Sequence, residues 1–320
     1  MSTPTFHEGE RAVQARVGDA VRERLAQLGP RVIRDFMPDQ HREFFAQLPF
    51  VIVGTADADG QPWASVLAQP PGFIQSPDAR HLQIQARALP GDPLEHTLRE
   101  GAPIGLLGIE PQTRRRNRMN GVVRGLGASG FGVELSQSFG NCPKYIQARE
   151  PLYLQERLGG KPVMYLARGL DDAARRLVAG ADTLFIATAY AGDAASAGAA
   201  AGVDVSHRGG KPGFVRVDAD GTLTMPDFVG NFFFNTLGNI ALNPRAGLLF
   251  MDFSHGDLLY LAVTAEIIWD GPELQAFEGA QRLLRFKVQQ ARRVGASLPL
   301  RWGAAELSPV LEATGSWLPQ

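Results

Sequence analysis

The chain has 320 residues, 44% of them hydrophobic, so it is long enough for about two domains with buried cores. Its formal net charge of -1 argues against a general nucleic-acid binder, whose affinity needs a dominant basic surface. The single cysteine, Cys142, excludes an internal disulfide framework, and the histidines show no metal-ligand spacing. No signal-peptide core and no apolar run of membrane-spanning length occurs, which predicts a cytoplasmic protein without a membrane partner.

The chain begins with two segments of helical periodicity. Apolar residues recur on one stripe along Glu8–Leu28, and Pro38–Gln47 predicts a second, shorter helix. The pattern then changes to extended chain at Leu48. A turn composition at Asp57–Gly60 and a new apolar run from Trp63 predict a β-hairpin.

The stretch Asp204–Asp252 has a similar organisation. Its turn Asp218–Gly221 predicts a second hairpin, and a short helix follows that opens at Gly230 and ends at Asn243. The continuous apolar run Ala246–Phe250 is typical of a strand that is buried on both faces.

Two parts of the sequence match each other in order, which indicates a tandem repeat. Residues 63–73 lie over residues 204–214 at one constant offset, and residues 104–107 lie over residues 246–249. The identities within the first match are Ser65, Pro71, Gly72 and Phe73 with Ser206, Pro212, Gly213 and Phe214. The alternative is turn chemistry that any two β-barrels share. A tandem repeat predicts two copies related by a pseudo-two-fold axis, with a ligand cleft between them.

The predicted fold is mainly β with flanking helices (α+β). We predict N-terminal helices over residues 1–47, a first β-rich domain with a following helix over 48–155, a linker over 156–180, a second β-rich domain with a C-terminal helix over 181–295, and a tail over 296–320. The helix after the first copy is predicted to start at Asn141-Cys142-Pro143, and the C-terminal helix is predicted over Glu273–Val294.

The most charged stretch of the chain, Gln112–Gly121, lies between the copies. If it forms a strand, alternation puts Arg114, Arg116, Arg118 and Asn120 on one face. Charge runs are usually solvated, so a surface face is the alternative interpretation. Cys142, which follows this stretch, is interpreted as a packing residue rather than as a redox thiol.

The sequence contains no phosphate-binding P-loop and no HExxH or GxSxG motif. It also has no GxGxxG motif in the turn between a strand and a helix. The chain offers instead a set of hydrogen-bond donors on turns and at a helix start, which suits a phosphate. These donors are Ser206, His207, Arg208, Lys211, Asn231, Asn235 and Thr236, together with the arginine strand and Lys144. The alternative is a solvated polar loop.

At these residues the chain resembles the pyridoxamine 5'-phosphate oxidase-like family of FMN-binding split barrels. The resemblance is carried by DVSHRGGKPGFVRV, by the helix before NPRAGLLF, and by TRRRNRMNG followed by QSFGNCPKYI. It implies two tandem split β-barrels packed as a pseudo-dimer, with FMN in the cleft between them.

The resemblance also implies which residues hold the cofactor. It assigns the phosphate to Ser206, Arg208, Lys211, Arg216, Asn235 and Thr236. The opposite wall is assigned to Arg116, Arg118, Gln137, Ser138, Asn141 and Lys144. The sequence departs from the family pattern at the helix start, where Phe232, Phe233 and Phe234 stand at a place that often carries a cation.

The leading hypothesis is an FMN-dependent oxidoreductase whose hydride chemistry belongs to the flavin, without a dedicated catalytic acid–base pair and without a metal. Its expected partners are a small-molecule substrate or an electron donor such as NAD(P)H, and a homodimer is left open. The alternatives are a non-catalytic flavin- or haem-binding module, a degenerate barrel pair, and nucleic-acid binding through the arginine strand.

Overall fold

The computed structural model describes residues 5–155, 163–192 and 200–317. It confirms a mainly β fold with flanking helices. The helices are α1 Glu8–Val17, α2 Asp19–Val32, α3 Asp39–Ala46, α4 Leu94–Thr97, α5 Asp172–Gly180, α6 Asn235–Leu242 and α7 Pro272–Gln275. Of these described helices, none combines the length and the apolar composition needed to cross a bilayer.

The first barrel is a seven-stranded antiparallel sheet with the order β2-β1-β5-β6-β7-β4-β3. Its strands are β1 Phe50–Ala56, β2 Pro62–Ala68, β3 Ile74–Asp78, β4 His81–Ile84, β5 Pro103–Glu110, β6 Arg115–Gly127 and β7 Gly130–Gly140. The predicted hairpin is present as β1 and β2, and Gly60 in its turn adopts φ 76°, a conformation that glycine tolerates best.

The second barrel has the order β11-β10-β14-β15-β16-β13-β12, with β9 added beside β16. Its strands are β9 Val163–Ala167, β10 Thr183–Tyr190, β11 Gly202–Gly209, β12 Arg216–Val217, β13 Leu223–Phe228, β14 Arg245–Met251, β15 Leu258–Ile268 and β16 Ala280–Val294. A separate two-stranded sheet pairs β8 Pro151–Tyr153 with β17 Leu300–Trp302.

The two strand orders are the same when β1–β7 are replaced by β10–β16. The contacts between the barrels are also reciprocal. A Cβ added at Gly105 of β5 would lie 2.4 Å from the carbonyl oxygen of Val203, and one added at Gly247 of β14 would lie 2.4 Å from the carbonyl oxygen of Pro62. Equivalent glycines, one in each barrel, thus contact equivalent strands of the other barrel, as a pseudo-two-fold interface requires.

The apolar core has a separate cluster inside each barrel and a third cluster between them. The third cluster combines Ile52 and Val66 of the first barrel with Phe185, Val205 and Leu249 of the second. Because this shared cluster is buried, the two barrels are held together by the hydrophobic effect as well as by polar contacts.

The prediction of one helix over Glu8–Leu28 was wrong, because Gly18 separates α1 from α2 with φ 156°. The helix predicted to start at Asn141-Cys142-Pro143 is absent; this stretch is a loop after β7. The site geometry below depends on that loop.

The helix predicted over Glu273–Val294 was also wrong. Only α7 is helical, Gly279 turns the chain with φ 81°, and the remainder is the 15-residue strand β16. This strand pairs with β15, β13 and β9, so tertiary pairing overrides a sequence rich in helix-forming Gln and Arg.

The segment predicted as a linker contributes structure to the second barrel through β9 and α5. Its residues 156–162 lie outside the described residues. The tail returns to the first half of the chain, where β17 pairs with β8.

Candidate functional site

A cleft with a cavity volume of about 110 Å³ opens between the two barrels. Strand β6 and the loop after β7 form one wall, and strand β11 with the chain from Pro226 to Leu237 forms the other. Of the predicted site residues, Arg116, Arg118, Lys144, Ser206, His207, Arg208, Asn231, Asn235 and Thr236 line this cleft.

Lys211 and Arg216 are not brought into the cleft. The Lys211 Nζ donates to the carbonyl oxygen of Thr314 at 2.6 Å, and Arg216 pairs with Asp218 and Glu273 beside α7. Both follow β11 in the chain, and the turn after that strand carries them away from the other donors.

Arg118 joins the two walls through a buried ion pair. Its Nη1 lies 3.0 Å from Asp204 Oδ1, and its Nη2 donates to Ser206 Oγ. Asp204 also accepts from Asn120 at 2.8 Å and from Asn239 at 2.9 Å. Because the charge of Arg118 is compensated inside the protein, this residue holds the barrels in register more than it offers charge to a ligand.

Arg116 faces the cleft without a carboxylate partner among the described residues. Its Nε donates to the Cys142 carbonyl oxygen at 2.9 Å, and its Nη1 lies 3.1 Å from His207 Nδ1. Burial lowers the pKa of Arg116 to about 10, so the guanidinium stays protonated at neutral pH. Burial and the nearby arginines lower the pKa of His207 well below its usual value, which favours a neutral ring that accepts from Arg116.

Arg208 and Lys144 add further positive charge. The Arg208 Nε lies 3.6 Å from Asp227 Oδ1, but Asp227 is shared with Arg282 at 3.3 Å. Two guanidinium groups therefore face one carboxylate. Lys144, from the loop after β7, forms no ion pair with a carboxylate in the described ranges.

The start of α6 forms the floor of the cleft. Thr236 Oγ1 donates to Ser206 Oγ at 3.0 Å, and the Asn231 side chain lies 3.5 Å from Asn141 Oδ1. The N-cap residue is Phe234, whose side chain makes no capping hydrogen bond, so the first amide groups of α6 lack the side-chain acceptor that usually serves them.

Sequence reasoning missed an aromatic surface in the cleft. It is formed by Tyr145, Phe228, Phe232 and Phe234, and the first two stack at 5.1 Å between ring centroids. Tyr145, Phe232 and Phe234 have φ of 65°, 63° and 63°, a left-handed conformation that is costly for a bulky residue. The three phenylalanines were the signal in the sequence, although they were noted only as the absence of a cation.

The predicted wall residues Gln137 and Ser138 do not reach the cleft. Both are buried, and Ser138 Oγ lies 3.1 Å from His41 Nδ1 on α3. Asn141, which was predicted with them, does line the cleft.

The pseudo-two-fold axis relates the cleft around Arg118 to a second position in the chain. Buried side chains fill that second position. In the strand registers Arg118 stands opposite Leu107 and Tyr260 stands opposite Leu249, so Tyr260 is the counterpart of Arg118. The same register makes Leu258 and Ala262 the counterparts of Arg116 and Asn120, and both belong to the apolar cluster between the barrels.

In the described part of the chain, no group of three or more His, Cys, Asp or Glu side chains could hold a metal ion. The candidate site is therefore a basic and aromatic cleft built from donors rather than from metal ligands.

Comparison with known proteins supports the fold assignment. Residues 37–152 match the family model described as pyridoxamine 5'-phosphate oxidase. None of the curated proteins compared with this sequence matches it.

Similar solved structures include a candidate pyridoxamine 5'-phosphate oxidase from Lactobacillus delbrueckii, with 17% identity, a TM-score of 0.30, and 39% of this chain and 94% of that chain covered. HupZ of Group A Streptococcus has 14% identity and a TM-score of 0.25, with 32% and 93% covered. A FAD-binding protein from Mesorhizobium loti has 13% identity and a TM-score of 0.28, with 43% and 100% covered. The chain is thus similar to the pyridoxamine 5'-phosphate oxidase family over residues 37–152.

Proposed function

We propose that the chain binds FMN in the cleft between its barrels and acts as an FMN-dependent oxidoreductase. The observation that carries the proposal is the excess of cations over carboxylates on the cleft walls. The lining contains Arg116, Arg118, Lys144 and Arg208 but only one carboxylate, Asp227.

This charge balance suits a phosphate ester, which carries about two negative charges near neutral pH. Arg118 is compensated by Asp204, so Arg116, Lys144 and Arg208 are the residues that would hold the phosphate. Guanidinium groups are well suited to this role because they donate two parallel hydrogen bonds to phosphate oxygens.

Two buried donors at the cleft also lack acceptors. Asn141 Nδ2 has no hydrogen-bond partner among the described residues, and Arg208 Nε lies 3.6 Å from the Asp227 carboxylate, beyond hydrogen-bond distance. A buried donor without a partner costs about 1–3 kcal/mol, so an oxygen-rich ligand that satisfies them would be stabilised. These residues therefore fit the phosphorylated cofactor, and the aromatic surface of the cleft fits its planar ring.

The flavin, when bound, supplies hydride transfer. The chain's own residues would bind and orient it: the cations hold the phosphate, and Phe232, Phe234 and Tyr145 limit the access of water to the ring. We propose a small-molecule substrate or an electron donor such as NAD(P)H as the partner. The cytoplasmic location and a homodimer remain predictions.

A non-catalytic flavin- or haem-binding role is the second candidate. The observation that favours it is His207, a neutral buried imidazole in the cleft lining, since imidazole is a common axial ligand of haem iron. The visible absorbance of the purified protein separates the two cofactors, because flavin and haem have different spectra.

The test is titration of the purified chain with FMN, FAD and haemin, followed by flavin fluorescence quenching and visible absorbance. We expect FMN to bind at one site per chain. Lys144→Gln and Arg208→Gln should each weaken FMN about tenfold, the equivalent of about 1.4 kcal/mol.

Lys211→Gln and Arg216→Gln are the matched controls, because they remove the same charges outside the cleft. FMN binding that is unaffected by Lys144→Gln and Arg208→Gln would contradict the site. Absence of any flavin binding would contradict the proposed function. FMN binding without oxidation of NAD(P)H, whichever electron acceptor is supplied, would contradict the oxidoreductase and favour the non-catalytic binding role.

A further inference from the structure

The N-terminal helix α1 packs directly on the floor of the cleft, although it belongs to neither barrel. A Cβ added at Gly9 would lie 2.3 Å from the carbonyl oxygen of Gly238 in α6, and one added at Gly238 would lie 2.6 Å from the backbone nitrogen of Glu10. The two helix backbones therefore touch, and a larger residue at either glycine would push α1 and α6 apart.

This contact lies beside the wall segment, which we define as Phe232–Thr236. Phe232 and Phe234 line the cleft, and both have left-handed backbone conformations with φ 63°. Bulky residues keep such a conformation only where surrounding contacts enforce it. Between them, Phe233 is buried and points away from the cleft lining, into a small cluster with Phe6, Leu25 and Phe139.

The N-terminal region supplies contacts that hold this conformation. Gln14 Nε2 donates to the carbonyl oxygen of Phe233 at 3.3 Å, and the rings of Phe6 and Phe233 lie 5.6 Å apart. Glu10 Oε1 accepts a hydrogen bond from the side chain of Asn235, the first residue of α6. Three groups on two residues of the wall segment, the carbonyl and ring of Phe233 and the side-chain amide of Asn235, thus contact α1 or the chain just before it.

Glu10 is fixed in turn by its own helix. Its Oε2 accepts from the backbone nitrogen of His7 at 2.8 Å, which completes a capping box at the start of α1. Glu10 is 3% exposed, and burial together with the nearby Asp204 raises its pKa well above the usual value. Both oxygens of Glu10 thus accept a hydrogen bond, one from the His7 backbone and one from the Asn235 side chain.

We infer that Gln14 and Glu10 are positioning residues, and that helix α1 sets the cofactor affinity of the cleft by holding the wall segment in its left-handed conformation. This inference rests on the proposed function for its affinity part. It places a determinant of binding in residues 6–14, outside the part of the chain that matches the family model.

The test compares four variants of the full chain. Gln14→Met keeps the side-chain length but removes the donor to Phe233, and Glu10→Leu removes the acceptor for Asn235. Glu10→Gln retains one acceptor oxygen in place of two, and Arg11→Gln changes an exposed position of the same helix. The two readouts are the Kd for FMN and hydrogen exchange of a peptide that covers residues 231–237.

We expect Gln14→Met and Glu10→Leu each to weaken FMN about tenfold and to speed exchange in the wall segment, while exchange in β14 stays unchanged. Glu10→Gln should weaken FMN less than Glu10→Leu does, and Arg11→Gln should stay within about twofold of the wild type. A general loss of stability would instead speed exchange in both the wall segment and β14.

Unchanged affinity in Gln14→Met would overturn the inference, as would unchanged exchange in the wall segment. If the wild-type chain binds no flavin, the proposed function fails, and the exchange comparison then decides separately whether α1 holds the wall segment. Should Glu10→Leu not fold, Gln14→Met with its Arg11→Gln control carries the test.

Discussion

The two barrels have the same strand order, yet the positions related by their pseudo-two-fold have opposite characters. At the cleft, Arg118 of the first barrel reaches Asp204 and Ser206 of the second. At the equivalent position, Tyr260 of the second barrel donates to Asp92 of the first at 2.9 Å, and Ser65, the counterpart of Ser206, donates to the same carboxylate at 2.5 Å.

The difference shows how one scaffold yields one cleft rather than two. Both positions use a side chain from the same strand to reach a buried carboxylate across the interface. At the cleft the neighbouring strand positions carry Arg116 and Arg208, whereas Leu258 and Leu67 stand at the equivalent positions and join buried clusters. Charged neighbours resist burial and therefore favour an open first position, while apolar neighbours close the second.

Arg118→Met provides the largest expected effect. It leaves Asp204 buried without its cationic partner, which typically costs about 3–5 kcal/mol. Urea unfolding measures the loss. Arg124→Met is the control on the same strand, because the Arg124 pair with Glu134 is half exposed and should contribute about 0–1 kcal/mol. Equal effects of the two substitutions would contradict the role of Arg118 in joining the barrels.

Asp92 should make stability depend on pH. Burial raises its pKa from 3.8 to about 6 in the folded chain. Its contribution is therefore fully present below the unfolded pKa and is lost as the pH rises through about 6, a change of about 3 kcal/mol.

Asp92→Asn should remove this contribution, and urea unfolding of both proteins at several pH values measures it. The difference between wild type and variant should favour the wild type increasingly as the pH falls. A difference that is constant with pH would show that Asp92 does not titrate in this range.

Tyr260→Phe should have a smaller effect, because it removes one of several donors to Asp92 and leaves the ring in place. We expect a loss of about 1–3 kcal/mol in unfolding free energy, since the carboxylate remains buried. Tyr153→Phe is the matched control, as its hydroxyl makes a longer contact of 3.3 Å to Gln69. FMN binding at the cleft should be unchanged by both, and a changed FMN affinity would mean that the two positions are coupled.

The smallest expected effect concerns a hydrogen bond that an equivalent threonine makes in each barrel. Thr55 Oγ1 lies 2.6 Å from Thr97 Oγ1 on α4, and the equivalent Thr188 Oγ1 accepts from Asn239 on α6 at 3.0 Å. Thr55→Val and Thr188→Val should each cost about 1 kcal/mol. A clear difference between the two costs, measured by urea unfolding, would show that the symmetry of the fold does not extend to its energetics.

Much of this arrangement could be predicted from local pattern. Alternation predicted that Arg116, Arg118 and Asn120 share one face of a strand, and the structure has contacts from each of them to β11. Arg114, predicted on the same face, precedes β6 and instead pairs with Glu306. Side chains alternate between the two faces only within a strand, and the first residue of β6 could not be located from the sequence.

Other parts depended on packing that no local pattern contains. Strand β16 was predicted as part of a helix because its apolar residues, such as Leu284, Val288 and Ala291, have helical spacing. Its three neighbouring strands supply the backbone partners that decide its conformation. The link between α1 and the wall segment joins residues more than 200 positions apart in the chain, such as Gln14 and Phe233.

The sequence by itself determined the repeated strand pattern, the donors of β11 and the arginine strand, because periodicity and turn residues act over short distances. Only the tertiary structure decided which of the two equivalent positions is open, that Lys211 and Arg216 lie elsewhere, and that Phe232 and Phe234 line the cleft while Phe233 contacts α1. The physical reason is that burial, ion pairing and a left-handed backbone all depend on neighbours that are distant in the chain.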